Sequence, residues 1–286
     1  MDYFFQIFTL AVIYAIPTIG LNLIMGRTKM LSLAQTSFLG VGAYAVAIFS
    51  GHFHINFFIA ALLGIALSAV ISFFLGIILS KLSEDYYFLG TLGFVMIFYN
   101  IVRNWDSFTG GAYGIAGIPR PEIFGFYINT VFFYFIFSLI VCGLVYWIAL
   151  FLEKSSFGRV LNAIRDDEEA LKIFGYKTHH YKLIVFVIGS TMASVAGSLF
   201  AGYITYIDPG PLFVSVLFWA MIIIGGLGSL RGAVLGAIIV TLLPEIFRFI
   251  GFPAAIAGDM RGLLYGLAIV LLMLVRPKGI LGNYKV

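Results

Sequence analysis

Residues 153–182 read EKSSFGRVLNAIRDDEEALKIFGYKTHHYK, a long polar interval that could not lie in a lipid bilayer. Eleven of these thirty side chains are charged, whereas the whole chain of 286 residues carries only 17 basic and 13 acidic side chains. Apolar sequence flanks the interval on both sides. The stretch therefore marks a folded polar loop between parts of the chain that lie in a membrane.

The composition of the rest of the chain is typical of helical membrane proteins. Hydrophobic residues make up 62% of the sequence and charged residues 10%, while soluble domains are usually about 25% charged. The apolar runs are nearly continuous, unlike the alternating segments of about ten residues that form outer-membrane barrels. No basic residue precedes Arg27, so we interpret the first run as a retained span and not as a signal peptide. We expect an all-α polytopic membrane protein with one transmembrane domain over residues 1–286.

Nine segments are long and apolar enough to cross or enter a bilayer, since about 20 helical residues span its hydrocarbon core. They are residues 3–25, 31–50, 55–80, 86–103, 126–152, 183–207, 212–228, 232–250 and 261–276. Segments 31–50 and 212–228 either span fully or are re-entrant. The bundle is accordingly expected to contain about 8 to 10 transmembrane or broken helices.

The basic residues predict the orientation of the bundle. With nine crossings and residues 153–182 inside, 13 of the 17 Lys and Arg residues fall on the cytoplasmic side and 4 on the outer side. Cytoplasmic loops of membrane proteins carry such an excess. We therefore expect the N-terminus outside, and the C-terminus and the 153–182 loop in the cytoplasm.

Small residues recur at every fourth position, which lets helices approach closely in a bilayer. The two longest stripes are Ala60, Gly64, Ser68, Ser72, Gly76 and Ser80, and Ser190, Ser194, Ser198 and Gly202. The sequence also contains an internal echo, in which a glycine-containing turn leads to Ser-Leu, once at residues 25–33 and again at 225–230. Membrane transport proteins often consist of two related halves with interrupted helices at matching places. The echo therefore predicts two related halves.

Within the polar loop, the sequence predicts two helices separated by a turn. Asp166 is expected to cap the second helix, with Glu169 closing a capping box three residues later. Gly175 is expected to end that helix in a left-handed conformation. Its apolar side chains are Ala170, Leu171, Ile173 and Phe174. A helix this short is not stable alone, so its apolar face packs either on its own bundle or in the groove of a partner protein.

Other candidate sites are weak. Residues 225–232 lack the Lys and Ser/Thr of a phosphate-binding loop, so any ATP should bind a separate chain. The four histidines form two pairs without further metal ligands beside them, and no catalytic set or cofactor motif is present. Glu245 lies in an apolar segment one turn from Arg248, where it forms an interfacial ion pair or takes part in a gate.

Several short motifs follow one another along nearly the whole chain. They are Leu31–Leu33 with Phe38–Tyr44, Asn104–Trp105 with Thr109–Gly111, Gly114–Ile115 and Gly117–Pro119, Ser156–Arg159 with Ala163–Glu168, Gly225–Leu230, and Arg276–Gly279. Each motif is weak by itself. Together and in this order, they make the chain resemble the LivM-type permease subunits of ATP-binding cassette (ABC) importers for branched-chain amino acids.

The resemblance implies a permease for leucine, isoleucine and valine in the cytoplasmic (inner) membrane. It implies four kinds of contact: a second homologous permease subunit in a heterodimer, two cytoplasmic ATPase subunits, an external substrate-binding protein and lipid. This chain would then bind no cofactor and would not itself be an enzyme, because ATP and magnesium are used by the partner subunits.

In such importers the cytoplasmic loop carries Glu-Ala-Ala, three further residues and Gly, and it docks on the ATPase. Here Glu169, Ala170 and Gly175 match that pattern, whereas Leu171 replaces the second Ala. The full set expected to couple to the ATPase is Arg159, Arg165, Asp166, Glu169, Ala170 and Gly175.

Two further sets are candidates for function. The expected substrate path lies at the interrupted early helices, where a helix N-terminus could face a carboxylate, and a capping or packing role is the alternative for each member. Its members are Asn22, Ser32, Gln35, Thr36 and Ser37. The external loop, residues 104–125, contacts the binding protein, covers the pore mouth or is a flexible connector. Its candidate contacts are Trp105, Asp106, Gly110, Gly111 and Arg120.

Three other functions stay open at this point. A permease for urea or short amides is one, because such permeases share the Thr-Gly-Gly outer loop. An ion-coupled secondary transporter or channel would work without an ATPase and would need buried carboxylates in mid-membrane. Glu245 is the only carboxylate within an apolar segment, which counts against this function. A membrane scaffold without transport activity would not need glycine-rich interrupted helices.

Overall fold

The computed structural model describes residues 2–82, 84–123, 126–128, 130–210, 215–249, 266–267 and 279–282. Eleven α-helices make up most of these residues: α1 (Asp2–Thr28), α2 (Gln35–Val46), α3 (Phe57–Leu79), α4 (Glu84–Asn104), α5 (Asp106–Thr109), α6 (Val131–Lys154), α7 (Ser156–Asp166), α8 (Glu168–Ile173), α9 (Thr178–Ile204), α10 (Ser215–Gly225) and α11 (Leu230–Phe249). A π-helix at Ala47–His52 continues α2, and a 3-10 helix lies at Gly111–Tyr113. The strands form two antiparallel pairs, β1 (Ile115–Ala116) with β4 (Tyr206–Ile207) and β2 (Glu122–Ile123) with β3 (Phe126–Tyr127). The all-α class is confirmed.

Five of the described helices are long and apolar enough to span a membrane: α1, α3, α4, α6 and α9. The apolar stretches of α1 and α9 are mostly buried inside the protein, whereas less than a third of the corresponding stretches of α3, α4 and α6 is buried. All 12 residues of α2 are buried, and this helix packs against α3 and α9. The bundle therefore has a core of α1, α2 and α9, and its outer helices present apolar surface to lipid or to another subunit.

The small-residue stripes lie at the helix crossings. Ala60, Gly64, Ser68, Ser72 and Gly76 are the buried positions of α3 together with its two ends, and Ser68 Oγ donates to Ser190 O of α9 at 3.1 Å. An added Cβ at Gly42 would lie 2.7 Å from the carbonyl carbon of Ser194, and one at Gly197 would lie 2.7 Å from that of Leu39. Side chains larger than hydrogen are therefore excluded where α2 crosses α9.

Segments 31–50 and 212–228 are both interrupted. The chain leaves α1 at Thr28, has no helical structure at residues 29–33, and begins α2 at Gln35. In the later segment, α10 has 11 residues and is followed by a turn at residues 226–229 before α11. The two echoed regions touch, because Arg27 donates to Gly228 O at 3.0 Å. The relation between the two halves stays a prediction, and segment 261–276 lies outside the described residues apart from Gly266 and Leu267.

The bundle has two distinct ends. The loop end, as we call it, carries residues 153–182, the end of α1, the α3–α4 turn and the turn at 226–229. The strand end carries residues 104–123, the β1–β4 pair and the start of α1, where Tyr3 donates a hydrogen bond to Glu245 of α11. The nine apolar segments predicted the same distribution of these loops between the two ends of the bundle.

Candidate functional site

The first helix of the polar loop, α7, packs inward. It begins at Ser156 and is capped by Ser155, whose Oγ accepts a hydrogen bond from Gly158 N at 3.4 Å. Leu161, Ile164 and Arg165 are buried, whereas Arg159 is exposed and donates to Ser156 Oγ at 2.8 Å. The two arginines of the predicted coupling set thus have different surroundings, one facing the bundle and one facing outward.

The second helix, α8, is capped by Asp167, and the prediction that Asp166 caps it is wrong. Asp167 Oδ1 accepts from Ala170 N at 2.9 Å, while the exposed Asp166 is the last residue of α7. Because α7 continues for one more residue than expected, Glu169 stands at the second helical position and does not close a capping box. Its carboxylate instead pairs with Lys172 Nζ at 2.7 Å.

Gly175 ends this helix as predicted. Its φ of +85° is in the left-handed region, where glycine is favoured. Its amide donates to Lys172 O at 3.0 Å, which satisfies one of the last carbonyls of the helix. The chain can therefore turn sharply from α8 into α9.

Glu168 fastens α8 to the start of α9. Its carboxylate pairs with Lys182 and accepts from Thr178 Oγ1 at 2.9 Å. Burial raises the pKa of Glu168, but the hydrogen bond and charge of Lys182, with help from Thr178 and Lys172, outweigh it and hold the pKa below its ordinary value. Lys182 is itself buried, so this ion pair keeps a charge away from water and fixes where α8 sits.

The outer face of α8 carries two exposed apolar side chains. Ile173 is 86% exposed and Phe174 is 79% exposed, whereas Ala170 and Leu171 are half-buried. A groove of about 530 Å³ runs beside α8 towards the α3–α4 turn, lined by Ser80, Lys81, Leu82, Glu168, Glu169, Lys172, Thr178, His179 and Lys182. Of the two places proposed for the apolar face, the described part of the protein's own bundle does not cover Ile173 and Phe174.

A buried polar cluster that the sequence did not reveal lies behind α7. Arg27 of α1 pairs with Glu153 and donates to Asn162 Oδ1 at 2.9 Å and to Gly228 O at 3.0 Å. Arg165 donates to Gly26 O. The sequence does show a charge in the last turn of α1 and another at the end of α6. Because Arg27 and Glu153 are far apart in the chain, their pairing could not be predicted from the sequence.

The predicted path residues are all buried, and the structure brings four of the five together. Ser32, Gln35, Thr36 and Ser37 lie at the break before α2, where Ser32 Oγ accepts from Ala34 N at 3.3 Å. Gln35 Oε1 and Ser37 Oγ have no hydrogen-bond partner among the described residues. Asn22 lies apart from them.

The amide of Asn22 joins α1 to the turn after α10. Its Nδ2 donates to Ser229 O at 2.9 Å, and its Oδ1 accepts from Gly228 N at 3.1 Å. Both polar atoms of the side chain therefore have backbone partners. These contacts fit the capping role that was the alternative for Asn22.

Aromatic rings surround the break before α2. Phe38 stacks on Phe94 with ring centroids 5.2 Å apart, and Phe88 meets Trp219 edge-on at 5.6 Å. The backbone of the break is held from α4, since Leu33 N donates to Thr91 Oγ1 at 3.2 Å. The break therefore combines two unpaired polar atoms with a mainly apolar enclosure.

The predicted external loop, residues 104–125, is folded over its described residues, which does not fit the flexible-connector alternative. Trp105 stacks on Phe108 at 5.2 Å, and both rings are about half exposed. Gly110 and Gly111 have φ of +73° and +56°, and a Cβ on Gly111 would strike the Asp106 side chain. Pairing of β1 with β4 ties the loop to the end of α9. Arg120, also predicted here, is half-buried.

Comparison with known proteins places these features in context. A family model described as "Branched-chain amino acid transport system / permease component" matches residues 3–273. The high-affinity branched-chain amino acid transport system permease protein LivM of Escherichia coli is 28% identical over 301 residues, which covers 96% of this chain and 69% of the relative. The probable LivM protein of Methanocaldococcus jannaschii is 28% identical over 237 residues, covering 77% and 68%.

A second type of permease protein matches over a shorter length. The E. coli LivH protein is 28% identical over 140 residues, covering 49% of this chain and 44% of the relative. No solved structure matches the chain.

Proposed function

Because the chain belongs to the family of branched-chain amino acid transport system permease components, we propose that it is the membrane-spanning permease subunit of an ABC importer that carries leucine, isoleucine and valine into the cell. The observation that carries the proposal is the family match over residues 3–273. Five long apolar helices and two interrupted ones agree with a multi-pass permease.

The loop end faces the cytoplasm in this proposal, and the strand end faces outward. The excess of Lys and Arg at the loop end supports this orientation. The N-terminus then lies outside, and the C-terminus lies in the cytoplasm. A LivH-type permease is the proposed second subunit, since chains named LivM and LivH both resemble this one.

Two ATPase subunits bind and hydrolyse ATP in the assembled importer, and one of them docks on α8. The exposed pair Ile173 and Phe174 supports this, because two large apolar side chains on a short helix are unfavourable in water and fit a partner's pocket. Glu169 and Lys172 border them with a salt bridge that can form the polar rim of the interface. An external binding protein delivers the substrate to the strand end, where Trp105, Phe108 and Tyr113 are exposed.

The substrate path passes the break before α2. An amino acid that carries an aliphatic side chain meets the rings of Phe38, Phe88 and Trp219, while Gln35 Oε1 and Ser37 Oγ offer polar contacts. Few polar groups suit a path, since tight binding would slow release. The apolar enclosure favours aliphatic amino acids over urea or short amides, which are small and polar.

The test is ATP-driven uptake by the assembled importer in proteoliposomes. With the second permease, the ATPases and the binding protein present, labelled leucine, isoleucine and valine should accumulate only when ATP is supplied. If urea accumulated in place of these amino acids, the proposed substrate would be wrong. If a sodium or proton gradient drove uptake without the ATPases, the assignment to an ABC importer would be refuted.

Replacement of the exposed apolar pair tests the docking surface separately. Ile173→Asp with Phe174→Asp should abolish co-purification of the ATPase, because two charges would enter an apolar pocket. Lys177→Gln, an exposed change in the same loop, is the control and should leave it unchanged. Undiminished ATPase binding in the double variant would exclude docking at this face.

A further inference from the structure

Arg27, in the last turn of α1, joins three separate parts of the chain through one guanidinium group. It donates to Asn162 Oδ1 of α7, to a carboxylate oxygen of Glu153 at the end of α6, and to Gly228 O in the turn before α11. The residue is 6% exposed. A planar group with five donors in a fixed fork holds several acceptors in one arrangement, which the single ammonium of lysine does not do.

A second contact fastens α7 to α1. Arg165 donates to Gly26 O, one of the carbonyls that the end of a helix cannot satisfy by itself. Asn162 and Arg165 are three positions apart, so they lie on the same face of α7. The residues that follow, in α8, are held instead by α9 through Glu168 and Lys182. The polar loop is therefore anchored at two places, with α7 on α1 and α8 on α9.

Both interrupted regions of the bundle meet at the α7 anchor. An added Cβ at Gly26 would lie 2.7 Å from the amide nitrogen of Gly228, so the end of α1 touches the turn after α10. The same α1 leads directly into the break at residues 29–33, which precedes α2. A displacement at Arg27 must therefore reach the break before α2 and the turn before α11 together.

We propose that Arg27 is the positioning residue that transmits movement of the polar loop to both interrupted regions. When an ATPase docked on α8 displaces the polar loop, α7 moves with α8 because the chain joins them directly at Asp166 and Asp167. The contacts of Arg27 with Asn162 and Glu153 carry that movement to α1, and its contact with Gly228 carries it to the turn before α11. This inference rests on the proposed function, since the ATPase is the source of the movement. Arg27 need not touch the substrate for this role.

The experiment measures substrate uptake and ATP hydrolysis in the same proteoliposomes that contain the whole importer. In Arg27→Gln the number of leucine molecules imported per ATP should fall about tenfold, because mutations in a network that couples two sites weaken the coupling by roughly this factor. Arg27→Lys, which keeps the charge but not the fork, should give an intermediate ratio. Lys177→Gln is the control, because Lys177 is an exposed residue of the same loop, and it should leave the ratio unchanged.

The ratio separates a positioning role from a merely structural one. If Arg27→Gln lowers uptake and ATP hydrolysis in proportion, the ratio stays constant and the inference is overturned. If Arg27→Gln changes neither uptake nor ATP hydrolysis, the ratio keeps its wild-type value and the inference is overturned as well. Failure of the wild-type complex to import leucine with ATP would overturn the proposed function and this inference with it, so the two failures are distinguishable.

A milder variant decides the matter if Arg27→Gln does not assemble. Asn162→Ala removes one neutral hydrogen bond and leaves the Arg27–Glu153 ion pair in place. It should lower the ratio roughly two- to threefold while its co-purification with the ATPase stays normal. An unchanged ratio in this correctly assembled variant would refute the link through α7.

Discussion

Replacing Gly42 with alanine should force α2 away from α9 and destabilise the protein. The added methyl carbon would lie 2.7 Å from the carbonyl carbon of Ser194 and equally close to its Oγ. The carbonyl oxygen of Ser194 would lie closer still, so the helices would have to separate by more than about 1 Å before these contacts became ordinary. Gly197 approaches α2 just as closely from the other side, so the crossing has no spare room.

The expected cost follows from the packing around α2. An extra methyl group in a well-packed core typically costs about 1–3 kcal/mol, and α2 has no exposed side towards which it can move. Two matched controls are Gly93→Ala and Gly143→Ala, which also lie in long apolar helices but have nothing within 4 Å of an added Cβ. Alanine is favoured over glycine in a helix by roughly 1 kcal/mol, so both controls should be unchanged or slightly more stable.

Thermal unfolding of the purified chain in detergent measures the difference. Cys142 is the single cysteine and is buried in α6, so its reaction with a thiol-reactive fluorophore reports unfolding. At one fixed heating rate, the apparent Tm of Gly42→Ala should fall by about 2–12 °C. An apparent Tm equal to that of Gly93→Ala would show that α2 and α9 are not in close contact, and the packing argument would fail.

Three further predictions concern the loop and the path. Asp167→Ala should destabilise α8 by about 1 kcal/mol, seen as faster amide exchange in that helix, whereas Asp166→Ala should leave the exchange unchanged. The pKa of Glu168 is lowered in the folded protein. Its contribution to the stability of the loop is therefore fully present above the ordinary carboxyl pKa, and it is lost as the pH falls through the pKa that Glu168 has in the folded protein. Cleavage of the loop by a protease should therefore become faster in acid. In the Glu168→Gln variant the loop should be cleaved readily at every pH, because a neutral amide cannot form an ion pair with Lys182. Gln35→Leu removes an unpaired buried polar atom, so stability should hold or rise while the KM for leucine uptake increases; an unchanged KM would remove Gln35 from the path.

Several parts of the loop and the path could be predicted from residue types alone. Gly175 adopts the left-handed conformation that its place after a short amphipathic helix predicts. Segment 31–50 was expected either to span fully or to be re-entrant, and the chain is not helical at residues 29–33 before α2 begins. The cap of α8 was missed because Asp166 and Asp167 are both good caps. The choice between them depends on where α7 ends, which the hydrogen bond from Asp167 N to Ala163 O decides.

By itself, the sequence determined that this is a helical membrane protein, where its long apolar segments lie and which residues face the crossings. Hydropathy and a four-residue spacing are local properties, so they can be read without knowing which helices are neighbours. Only the tertiary structure decided that Arg165 turns inward, that Tyr3 meets Glu245 and that Arg27 pairs with Glu153. The physical reason is that a buried charge or hydroxyl takes the partner that packing places beside it. For the polar stretch at 153–182, packing therefore separated a buried anchor in α7 from an exposed face in α8.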